Sequence, residues 1–107
     1  MTMFDDRERA DEAKFARDGE MAFRIAARRN KLVAHWAAGL MKLTPAEADS
    51  YAKSVVQADF EEAGDDDVAR KLIGDLAAAG VEVEDGAVRR ALDEQLVEAR
   101  RQLLEAR

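Results

Sequence analysis

A chain of 107 residues, 48% apolar and 37% charged, holds one small core and no more than one domain. One Pro and six Gly leave few of the turns that sheets need, and the absence of cysteine excludes disulfides, thiolate metal sites and thiol nucleophiles. The net charge of -6 argues against a nucleic-acid partner, for which a net basic face is expected.

The chain opens on an arm that cannot form a core. From Asp5 to Glu20, 11 of 16 positions are charged and Phe15 is the one large apolar residue. Ordering sixteen residues costs roughly 24 kcal/mol, whereas burying one Phe returns about 1.5 to 3. The arm nevertheless lacks Pro and is rich in Ala, Glu, Arg and Lys, all strong helix formers. A segment able to be helical, with nothing of its own to pack on, is suited to a partner. In a helix Phe4 and Phe15 fall about three turns apart on nearly one face, roughly 16 Å along the axis, with Met3 beside the first. They read as two outward anchors; the alternative is that they fold back on the rest of the chain.

The first firm helix is predicted over about 20–41. Ile25, Arg29, Leu32, Trp36 and Leu40 recur at helical spacing and Val33 and Ala37 widen the stripe, with Gly39 either the left-handed cap or a last-turn residue. The second, about 44–63, is the best marked: Thr44, Pro45 and Glu47 form a capping box with Pro in the first turn, Ala48, Tyr51, Ala52, Val55, Val56 and Phe60 make its apolar side, and Gly64 ends it. The third, about 66–79, starts on Asp65, Asp66 and Asp67, lines one face with Val68, Leu72, Ile73 and Leu76, and closes on Gly80 with Val81 set against Leu76. The VEVEDG link has no partner strand and reads as an extended connection. The fourth, about 85–106, carries Val88, Leu92, Leu96, Ala99 and Leu103. The expectation is an all-α, four-helix bundle-like domain over 20–107 preceded by a helical or disordered arm over 1–19.

Charge is segregated along these elements. Residues 21–42 hold five basic and no acidic side chains, and residues 43–67 hold eight acidic and one basic. An antiparallel hairpin would let the two helices neutralise each other, each exposed pair contributing at most about 1 kcal/mol. Arg28, Arg29 and Lys31 form the basic patch; the plain reading is pairing with the second helix, the sharper one contact with a phosphate, a nucleotide or an acidic partner. No run of eighteen apolar residues occurs, so direct membrane insertion is not expected, and no secretory leader is read at the acidic N-terminus, which suggests the cytoplasm.

The chemistry-bearing residues point away from catalysis. Asp65, Asp66 and Asp67, with Glu61 and Glu62, lack the alternating spacing of a calcium loop and read as helix capping rather than a cation site. His35 is the only histidine and reads as a rim residue, and Ser50 and Ser54 have no nucleophile-elbow glycines. No glycine-rich phosphate loop is present. The expectations are no catalytic residues, no metal and no cofactor.

Several blocks, in order, carry a family resemblance: Phe4-Asp5-Asp6-Arg7-Glu8, Glu12-Ala13-Lys14-Phe15-Ala16, Ala27-Arg28-Arg29-Asn30-Lys31-Leu32, Trp36-Ala37-Ala38, Glu47-Ala48, Tyr51-Ala52-Lys53, and Val56 with Ala58-Asp59-Phe60-Glu61-Glu62-Ala63-Gly64. Together the chain resembles the alphaproteobacterial zeta subunit of the F-type ATP synthase, an ATPase-inhibitor family first catalogued as a domain of unknown function. The resemblance implies a regulatory four-helix protein, not an enzyme, acting in the cytoplasm at the inner face of the membrane. Its arm would enter the catalytic head between alpha, beta and gamma (rotor) subunits and block hydrolysis. It also implies a partner-binding surface on Met3, Phe4, Asp5, Asp6, Arg7, Glu8, Arg9, Glu12, Lys14 and Phe15. The alternative function is a small-ligand (nucleotide) sensor using Arg28, Arg29 and Lys31. Two positions depart from the family pattern: Gly19, where Ala is expected, places a hinge between arm and bundle, and Asp11 is more acidic than expected.

Overall fold

The computed structural model describes the backbone over residues 3–61, 66–84 and 86–105, and side chains over 19–59, 66–84 and 86–105. Among the described residues four helices make up the all-α fold: α1 Met3–Leu40, α2 Pro45–Glu61, α3 Asp66–Ala78 and α4 Ala87–Glu105. The predicted boundaries of the last three hold to within two residues. The first helix differs: where a separate arm precedes a helix from about residue 20, α1 is continuous from Met3 and passes through Gly19 without a break. One glycine weakens a helix by about 1 kcal/mol, and the Arg24 to Glu20 ion pair at 2.7 Å braces the first turn after it.

α1 is the central element and packs on α2, α3 and α4, while α3 bridges α2 and α4. The core is built from Val33, Ala34 and Ala37 of α1, Ala52 and Val55 of α2, Val68, Ala69, Leu72 and Leu76 of α3, and Val88, Ala91 and Leu92 of α4, with Trp36, Met41, Tyr51, Val81 and Val83 packed around it. The buried face of α1 is turned from the predicted stripe: Asn30, Ala34 and Ala38 are buried, whereas Leu40 is exposed. A helix covered on several sides places its small residues at the closest approaches and its large ones at the flanks. The same rule corrects α3, where Ala69 is buried and Ile73 is half exposed.

The helix ends follow local chemistry. Thr44 N–H donates to Glu47 Oε1 at 2.9 Å and Glu47 N–H to Thr44 Oγ1 at 3.2 Å, so the predicted capping box is formed and holds the Glu47 carboxyl below its usual pKa. α3 ends with Gly80 at φ 76°, with Val81 N–H bonded to Leu76 O and Gly80 N–H to Ala77 O. α1 ends the same way around Lys42 at φ 59°, not around Gly39, with Leu43 N–H on Ala38 O and Lys42 N–H on Gly39 O. The 81–84 link forms no helix and pairs with no strand among the described residues, and lays Val81 and Val83 on the core. Gly64, Asp65 and the side chains of Phe60, Glu61 and Glu62, expected at the α2–α3 junction, lie outside the described residues.

Candidate functional site

The geometry that distinguishes this chain is the mismatch between α1 and its neighbours. At 1.5 Å per residue the 38 residues of α1 span about 57 Å, against about 26 Å for the 17 of α2 and about 28 Å for the 19 of α4. Neither partner is long enough to accompany the first half of α1. Among the described side chains, none before Arg29 is buried. The side chains of Met3, Phe4, Asp5, Asp6, Arg7, Glu8, Arg9, Glu12, Lys14 and Phe15, read as outward anchors and charged contacts, lie outside the described residues. The backbone does set their register: position 15 stands eighteen residues, five turns, before Val33, in line with the buried face of α1.

Two shallow depressions flank α1 where it leaves the bundle, sharing Phe23 and Ala27. One, of about 140 Å³, is lined by Phe23, Ala26, Ala27, Asn30, Val56 and Asp59 on the α2 side. The other, of about 230 Å³, is lined by Phe23, Arg24, Ala27, Arg28, Lys31 and Leu103 on the α4 side. Phe23 is 53% exposed. The predicted basic triplet is therefore divided. Arg28 and Lys31 share the α4 side with Arg24, and Arg28 donates to Gln102 Oε1 at 3.0 Å. Arg29 is buried, its guanidinium donating to Asn30 Oδ1 at 3.1 and 2.9 Å, and Asn30 Nδ2 donates to Asp59 Oδ2 at 3.0 Å. Adjacent helical residues stand about 100° apart, which separates Arg29 from Arg28, whereas Arg24 lies one turn before Arg28 and joins its face. That spacing would have picked out Arg24; Phe23 and Asn30 had no comparable signal.

The remaining polar groups act as braces. His35 Nε2 lies 3.7 Å from Asp49 Oδ1 on the exposed rim, between the basic and acidic helices. Asp66 meets Arg89 at 2.8 Å and Asp67 meets Arg70, so two members of the acidic run hold guanidinium groups. Ser54 Oγ donates to Tyr51 O at 2.7 Å within α2. Tyr51 donates to Asp75 Oδ2 at 2.8 Å, and Lys71 Nζ reaches the same oxygen at 3.0 Å while standing 5.5 Å from the tyrosine ring centre. Burial, then the bond to Asp75 and its charge, push the tyrosine hydroxyl pKa well up. No helix among the described residues is long and apolar enough to cross a membrane.

An all-α four-helix domain prolonged by a single long helix is the class that this architecture defines. A solved structure obtained by solution NMR has the same fold, with a TM-score of 0.71 and 40% identity over 81% of this chain and 99% of that one. No curated protein matches the sequence. The model of the family described as ATPase inhibitor subunit zeta matches residues 1–102, and the chain belongs to that family.

Proposed function

We propose that the chain inhibits ATP hydrolysis by the F-type ATP synthase, its arm over residues 1–19 entering an interface of alpha, beta and gamma subunits in the catalytic head. The bundle over 20–107 serves as the tether, and the chain acts as a ligand of the enzyme at the inner face of the membrane rather than as a catalyst. The observation that carries this reading is the family match, which takes in the arm as well as the bundle. The length of α1 supports it physically: inside the bundle, the face in line with positions 4 and 15 is covered by neighbouring helices, and beyond it a partner's surface can take their place. Met3, Phe4 and Phe15 then supply apolar anchors. Asp5, Asp6, Arg7, Glu8, Arg9, Glu12 and Lys14 set orientation by charge.

The test is ATP hydrolysis by the isolated catalytic head with the full chain and with residues 1–18 removed. Inhibition by the full chain alone is expected. Equal rates with both, and no complex on gel filtration, would overturn the reading.

A second reading is favoured by one observation, the convergence of Arg24, Arg28 and Lys31 on the depression beside Phe23. Three cations around an apolar floor suit a nucleotide's phosphates and base, and this reading makes the bundle a nucleotide sensor. Chemical-shift changes near Arg24 to Lys31 on titration with ATP would support it; their absence at millimolar ATP would remove it.

A further inference from the structure

The fully buried apolar surface of α1 is smooth, with Trp36 packed at its flank. Val33, Ala34, Ala37 and Ala38 are its fully buried apolar residues among those described, and rows of methyl groups resist separation far better than they resist sliding or rotation. Directional polar contacts add to packing in holding α1 in one register, and the buried ones lie at residues 29 and 30. Arg29 and Asn30 are 4% and 1% exposed, and their polar atoms need partners in defined directions. Asn30 Oδ1 accepts two bonds from Arg29, and Asn30 Nδ2 crosses to Asp59 Oδ2 on α2. A slip of α1 by one residue, about 1.5 Å along and 100° around its axis, would carry Asn30 away from Asp59 and leave a buried amide in search of a partner. Apolar replacements of similar volume often hold a core as well as such networks do, so the network's particular contribution is geometric.

We infer that Asn30 and Asp59, with Arg29 behind them, are positioning residues that set the register of α1 on α2 and thereby the direction and face in which the arm is presented. The lever is long. Met3 lies 27 residues before Asn30, about 40 Å along α1, so a tilt of about 10° about that point moves the far end by roughly 7 Å. Because α1 is one helix, rotation at residue 30 is transmitted to position 4. The inference rests on the arm being the inhibitory element, but its first readout does not.

The chain has no cysteine, which makes site-specific labelling clean. Spin labels placed at the exposed positions of Gly19 and Lys53 report the orientation of α1 on α2. With Asp59→Leu, the expected result is a cooperative fold whose label-to-label distance distribution is shifted or about twice as wide. The half-inhibitory concentration then rises about tenfold, as when a preorganised binding element becomes free to adopt several orientations. Asp59→Asn, which keeps an oxygen acceptor for the Asn30 amide, is expected to restore the narrow distribution and the potency. A wild-type distribution in Asp59→Leu, or one equally disturbed in Asp59→Asn, overturns the inference. If Asp59→Leu does not fold cooperatively, the doubly apolar Asn30→Leu/Asp59→Leu chain is read by the same criteria. Failure of the unsubstituted chain to inhibit would sink the inhibitory reading and leave the distance test standing.

Discussion

Tyr51→Phe isolates one hydroxyl at the α2–α3 junction. The ring stays, so its packing and the nearby Lys71 ammonium, 5.5 Å from the ring centre, are retained, and Asp75 keeps Lys71 at 3.0 Å. What is lost is one O–H donor to a carboxylate at 2.8 Å. Such bonds contribute about 1.5 to 3 kcal/mol when shielded; at this half-buried site, with a second partner left on Asp75, about 1 to 1.5 kcal/mol is expected. For a domain of this size that lowers Tm by roughly 5–10 °C. Alkali supplies an internal control. The folded-state tyrosine pKa is raised above its ordinary 10.0, so its contribution is complete below about pH 10 and is lost as pH climbs toward the folded value, because the unfolded chain releases its proton first. Phe has no such proton, so by about pH 11 the two proteins should draw together by about 1 kcal/mol. Urea unfolding followed by the fluorescence of Trp36, the only tryptophan, at a series of pH values from neutral to alkaline measures both effects. Equal stability at neutral pH, or a gap that stays constant into alkali, would refute the reasoning.

Leu72→Ala, at a fully buried side chain in the middle of α3, should lower stability by about 3 kcal/mol, read from the urea midpoint, because α3 meets both α2 and α4 and the cavity cannot easily collapse. Bonds from Arg101 and Gln102 hold the Glu98 carboxyl down to about 2 from its usual 4.5. A depressed acid stabilises above its unfolded pKa and loses that contribution as pH falls through the folded one, so Glu98→Gln should flatten the acid limb of the stability curve between about pH 4.5 and 2; an unchanged limb by urea titration would contradict this.

Local sequence signals carry through to the structure where one or two residues' chemistry decides the outcome. Thr44 and Glu47 need only each other to form the capping box, and Gly80 needs only its own backbone freedom. The end of α1 shows how such a signal fails. Gly39 offers an inexpensive left-handed cap, yet α1 runs on to Leu40 and the left-handed position falls on Lys42, at φ 59° and a penalty of about 1 kcal/mol. Met41 gives a reason, since the added turn packs it against the core. Face assignments missed where packing and periodicity disagree. Ile73 suits the apolar stripe of α3 by hydropathy, but Ala69 occupies the close approach because it is small. The basic triplet is divided because the edge of the buried face of α1 falls between Arg28 and Arg29, about 100° apart, so that Arg28 reaches Gln102 while Arg29 turns inward to Asn30.

The hinge expected at Gly19 and the continuous helix found there have different consequences for an inhibitor. A hinged arm would search for its site independently of the bundle, and the bundle would contribute only effective concentration, which falls slowly with linker length. An arm that is the leading half of α1 is oriented by everything that orients α1, including the bond between Asn30 and Asp59 and the one between Arg28 and Gln102. The ordering entropy of the arm is then partly met by the bundle's own folding, and less of it is charged against binding. Inserting two glycines after Gly19 discriminates between these mechanisms without touching a single residue of the arm or the core. A tethered searcher would inhibit as before. A rigid lever would lose potency by a factor of about ten or more, because the insertion rotates the arm by about 200° and loosens its coupling to α1 at the same point.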